Sequence, residues 1–94
     1  MSVFLVTWNL NNERSNYAQA RKVFIGHLER YKNIKDSALD SVRWLSTSAT
    51  AERLYEDLAS KLDDNDRLFV TKVTIGNHYG WLDSDVCDWI LAHI

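Results

Sequence analysis

Between Val3 and Leu10 the chain has no polar face: Phe4, Val6, Trp8 and Leu10 fall on one side of a period-two strand, Val3, Leu5 and Thr7 on the other. A strand rich in β-branched and aromatic residues and apolar on both sides predicts a central strand covered on each face. The polar run from Asn9 to Asn16 makes its C-terminal tip open into a loop, with Ser15 or Asn16 as the N-cap of a helix. From Tyr17 the period changes. Tyr17, Ala20, Val23, Phe24, Leu28 and Tyr31 recur at threes and fours, one stripe of that helix, with Gln19, Arg21, Lys22, Glu29 and Arg30 off it. Gly26 inside this helix costs up to about 1 kcal/mol relative to alanine, which predicts close packing or a bend at that point. His27 borders the stripe with no second ligand one turn away, the pattern of a partly buried histidine rather than a metal ligand.

The pattern weakens from Lys32 to Asp40, where Asn33 and Asp36-Ser37 favour a loop while Ile34, Ala38 and Leu39 suggest a short edge strand. Ser41 to Thr47 is a clearer strand, Val42 and Trp44 on one face and Arg43 and Leu45 on the other, so the pair predicts a hairpin with a poorly formed first arm. Ser46 to Thr50 offers several N-caps for a second helix with the stripe Ala51, Leu54, Tyr55, Leu58 and Leu62. Its spaced charges, Glu52/Glu56 and Arg53/Asp57, read as surface chemistry. The acidic loop Asp63 to Asp66 lacks the glycine and the distant bidentate glutamate of an EF-hand and reads as a turn. Arg67 to Thr74 forms a strand, Phe69 and Val73 opposite Leu68 and Val70. A glycine-flanked aromatic loop from Ile75 to Trp81 comes next. Asp83 or Ser84 then caps a last helix with the stripe Val86, Trp89, Ile90 and His93.

Strand, helix, strand, strand, helix, strand, helix predicts an α+β fold: a ferredoxin-like βαββαβ sandwich, two helices on one face of an antiparallel sheet, with an appended C-terminal helix. The first and last strands are expected to be central. Ninety-four residues make one domain, 1–94, and 46% hydrophobic residues mark it as globular. No apolar run approaches the ~20 residues needed to span a bilayer. The N-terminus lacks a basic segment leading into a long apolar one, so no export signal is expected. A single cysteine, Cys87, excludes an internal disulfide and points to a cytoplasmic protein.

The net charge of −2 conceals two poles. Arg14 to Arg43 holds seven basic and three acidic residues, +4; from Trp44 onward four basic face nine acidic, −5, and Glu13 supplies the remainder. Such poles serve either as solvated helix faces, the commoner case, or to bind a polyanion or a second copy. Asn9, Asn11, Arg14, Arg21 and Lys22 are the nucleic-acid-binding candidates. Tyr79 and Trp81 could stack on bases, but glycine-flanked aromatics more often plug a core edge or a dimer interface, and they are the interface candidates. There is no phosphate-binding glycine loop, no Cys-x-x-Cys, no His-Glu-x-x-His and no nucleophile elbow. No cofactor or metal is expected.

Four segments in order are similar to one family. They are the first strand ending in Trp8-Asn9-Leu10-Asn11, the hairpin segment Leu39-Asp40-Ser41-Val42-Arg43-Trp44-Leu45, the run Leu62 to Val70, and Gly80-Trp81 with Cys87-Asp88-Trp89-Ile90. Over nearly its whole length the chain resembles SinR-like proteins, relatives of the CRISPR-associated nuclease-fold (Cas-two-like) protein that accompanies the spacer integrase. The resemblance implies a ferredoxin-like fold and a homodimer. In the nuclease-fold relatives an aspartate at the tip of the first strand lies near the dimer axis, and two copies are proposed to hold a divalent metal. The matching position here is Asn9, an uncharged and weaker ligand that cannot act as a carboxylate base. The residues thus lean away from an enzyme. The leading expectation is a small dimeric nucleic-acid-associated or phage-defence domain without an intact metal-nuclease site. The alternatives are a non-enzymatic protein-interaction module in a phage-defence or toxin–antitoxin setting, and an active metal-dependent endonuclease.

Overall fold

A computed structural model describes residues 1–13 and 15–94. It is α+β: β1 (Ser2–Asn9), α1 (Tyr17–Leu28), β2 (Lys32–Ile34), β3 (Val42–Thr47), α2 (Ala51–Ala59), β4 (Arg67–Val73) and α3 (Ser84–His93). The four strands form one antiparallel sheet in the order β2-β3-β1-β4, an arrangement compatible with a ferredoxin-like fold.

The two-faced pattern of β1 sets the layers. Phe4, Val6 and Trp8 join Leu45 of β3, Phe24 and Leu28 of α1, and Leu54 and Leu58 of α2 in one core, with the Trp8 and Phe24 rings 5.2 Å apart and tilted. Val3 belongs to a second core with Trp44, Val73, Val86 and Ile90, against which Leu5 also packs. Helix α3 therefore is not merely appended: it supplies the second cover that the apolar alternation of β1 demands.

Three expectations need correction. β4 is an edge strand, not a central one, because the β3-α2-β4 crossover carries the chain past β1 to its one free side. Leu68 and Val70 are accordingly only half-buried, and Phe69 is 62% exposed. Gly26 is not a close contact, since a Cβ there would meet nothing within 4 Å. On α3 the buried anchors are Val86 and Ile90, whereas Trp89 packs against their core only partly buried and stacks on His93 with centroids 4.1 Å apart.

Backbone-binding carboxylates fasten the loops. Buried Asp36 accepts from Ala38 N (2.9 Å) and Asp83 N (2.7 Å), while Asp83 accepts from Ser37 N (3.0 Å). These reciprocal bonds tie the β2–β3 loop to the start of α3, and the bond from Ser37 holds the Asp83 carboxyl below the usual carboxylate range. Asp66 does the same before the edge strand β4, accepting from Asn11 N (2.8 Å) and Asp63 N (3.0 Å). The acidic loop is thus a turn, as expected, but its last carboxylate points inward.

Two substitutions check this packing by urea unfolding. Ile90→Ala is expected to cost about 2–5 kcal/mol, because it opens the core beneath α3. Gly26→Ala is expected to add up to about 1 kcal/mol, since it removes a helix-interior glycine at no steric cost.

Candidate functional site

The residues singled out by chemistry gather at two places, one polar and one aromatic. At the tip of β1, Asn9 and Asn11 line a polar depression of about 400 Å³ with Asn12, Glu13 and Asn65. Its shape comes from Asp66: the bond from Asn11 N turns the chain after β1, and Asn11 Oδ1 accepts from Glu13 N (3.1 Å) to tighten the bend. Asn9 is exposed and sits opposite Arg67 in the ladder. The depression has amide donors and acceptors in plenty, but its charged wall is Glu13, which repels phosphate. Arg14 lies outside the described residues.

Arg21 and Lys22 lie in the first two turns of α1, Arg21 half-buried and Lys22 exposed. The basic segment as a whole is weaker than its sequence suggests. Arg43 is buried, its Nη1 donating to Glu29 Oε2 (3.0 Å) and Asn33 Oδ1 (2.9 Å). Arg30 is bound to Asp57, and Lys35 stands 4.0 Å from Asp40. Among the described residues of that segment, Arg21, Lys22 and Lys32 are the basic side chains that form no ion pair. Among the described residues of the segment, these offer unpaired charge to a polyanion.

One polar cluster escaped the sequence. Asp57 of α2 accepts at Oδ2 from Arg30 Nη2 (2.7 Å) and from the Tyr31 hydroxyl, and its Oδ1 is 3.0 Å from His27 Nε2. That nitrogen also lies 3.1 Å from the Asp57 carbonyl and 2.9 Å from Arg30 Nη2, so it sits between two acceptors and one donor. Partial burial alone would raise the Asp57 carboxyl. The bonds from Tyr31 and His27 and the charges of His27 and Arg30 outweigh it and hold the group below the usual carboxylate range. Tyr31 is pushed up, first by burial and then by its bond to Asp57 and that residue's charge. Both carboxylate oxygens are committed within the chain, so the cluster fastens α1 to α2 rather than addressing a substrate. At sequence level Asp57 paired naturally with Arg53 on its own helix. Its actual partners stand about thirty positions away on another element, and no local spacing announces them.

The aromatic candidates are not core plugs. Tyr79 and Trp81 are fully exposed, at 104% and 99%. Beside them an apolar groove of about 510 Å³ runs between the α3 face of the sheet, the 75–82 loop and α3, with Leu5, Trp44, Val73, Ile90 and Leu91 among its walls. The loop enters it through a turn at Gly76, whose φ of 81° is the left-handed conformation that favours glycine. Among the described residues no group of three or more His, Cys, Asp or Glu side chains could hold a metal ion, and no helix is long and apolar enough to cross a membrane. The chain matches no protein-family model and no curated protein.

Asp57→Asn is expected to cost about 1.5–3 kcal/mol at neutral pH, the range for hydrogen bonds to a charged group. Because the Asp57 carboxyl lies below its unfolded value, its contribution is present above that unfolded value and is lost as pH falls through the folded one. Urea midpoints of wild type and variant should therefore converge as the pH is lowered through the carboxylate range.

Proposed function

We propose that this chain is a ferredoxin-like domain of the SinR-like, Cas-two-like kind that works as a homodimer and associates with nucleic acid without cleaving it. The strand order β2-β3-β1-β4, with every neighbour antiparallel, supports the fold part of this reading. The observation that carries the nucleic-acid part is the placement of Arg21 and Lys22. They stand without ion-pair partners among the described residues, on the helix that comes after the amide-rich depression of Asn9 and Asn11. Charge of this kind positions a phosphate backbone, and amides offer polar contacts beside it. Asn9 supports the non-cleaving part, because an amide cannot hold an activating metal as a carboxylate does. A second reading, a protein-interaction module, is favoured by the exposed Tyr79 and Trp81.

Fluorescence anisotropy with single- and double-stranded RNA and DNA tests the binding. Affinity is expected to fall on the order of tenfold or more between about 50 and 200 mM salt, as counterion release requires for a few phosphate contacts. Lys22→Ala should lessen the salt slope by about one. Absence of binding to all four ligands at low salt would overturn the nucleic-acid reading in favour of the protein module.

The same mixtures supplied with magnesium or manganese test the chemistry. Intact nucleic acid is expected. Chelator-sensitive cleavage that disappears in a folded Asn9→Ala variant would instead make the chain an enzyme.

A further inference from the structure

We propose that two copies of this chain exchange Trp81, each inserting that side chain into the apolar groove of the other. The inference rests on the homodimer part of the function proposed above and names its contact surface. One molecule carries both halves of the fit. The groove of about 510 Å³ is walled by Leu5, Trp44, Val73, Ile90 and Leu91. The loop along its side holds Trp81 almost wholly in solvent. Tyr79 stands at the groove's rim, but Trp81 is not among the residues that line it, so the chain does not fill its own hole with its own knob. A two-fold axis solves this arrangement for both copies at once, because an isologous contact sets the same patch against itself.

The area is adequate. Trp81 and Tyr79 are fully exposed, and at about 150–250 Å² each they offer roughly 300–500 Å² per copy. Exposed Ile75 and Leu91, which line the groove itself, add to that, a large share of the ~800 Å² per partner of a standard interface. A monomer seldom leaves an apolar groove open beside exposed aromatics. A buried tryptophan in a pocket is also the usual anchor of an interface.

Sedimentation equilibrium over about 1–100 µM, where biologically useful dimers dissociate, reads the result. Wild type is expected to dimerise. Trp81→Ala removes the knob and Leu91→Glu charges the wall of the hole; both positions are exposed, and circular dichroism verifies that each variant folds. Each alone should associate at least tenfold more weakly. An equimolar mixture of the two retains one intact pairing, Trp81 of the Leu91→Glu chain in the groove of the Trp81→Ala chain, and should associate more tightly than either variant by itself. A dimer indifferent to both substitutions would overturn the exchange while leaving the homodimer standing through another face. Variants that weaken association without any gain on mixing would overturn the reciprocal fit. A wild type that stays monomeric throughout would overturn the exchange and the homodimer together, and with them any use of the groove for a second copy.

Discussion

The burial of β1 on both faces is the constraint on which the rest of the architecture depends. Val3 and Val6 are wholly buried from opposite sides, and a strand in that position needs a cover on each face and a neighbour on each edge. Helices α1 and α2 supply one cover and α3 the other, while β3 and β4 take the two edges. Removing α3 would uncover Trp44 and Val73 as well as Val3. Its short apolar stripe thus matters beyond its own length.

Much of the chain's polar chemistry is spent on holding this arrangement. Asp36, Asp57, Asp66 and Asp83 all accept hydrogen bonds from other elements or loops. An ionised carboxylate accepting backbone N–H groups is among the stronger polar contacts available to a small domain. Arg43 is treated alike, buried between Glu29 and Asn33 because a charge on the core side of the sheet must be paired. The formal charge poles therefore overstate what the surface offers. What remains for a partner is a modest basic strip on α1, an amide-rich depression at the tip of β1, and an apolar groove beside two exposed aromatics. The basic strip and the groove ask for partners of different chemistry.

From the sequence alone came the element order, the faces of each strand and the two-sided burial of β1. Periodicities of two and near 3.6 are local properties, and burial derives from them directly. The aromatic loop and the Asn9 tip were legible for the same reason: each is a contiguous run of unusual residues. Only the tertiary structure put β4 at the sheet edge, because the side of β1 that a crossover reaches is a matter of path and not of pattern. It alone joined Asp57 to His27, Arg30 and Tyr31, turned Asp66 inward, and withdrew Arg30 and Arg43 from the basic pole. It alone revealed that Tyr79 and Trp81 stand in solvent beside a groove. Pairings between distant side chains depend on which surfaces meet, and hydrophobic burial, which decides that, carries no record of them in the local sequence.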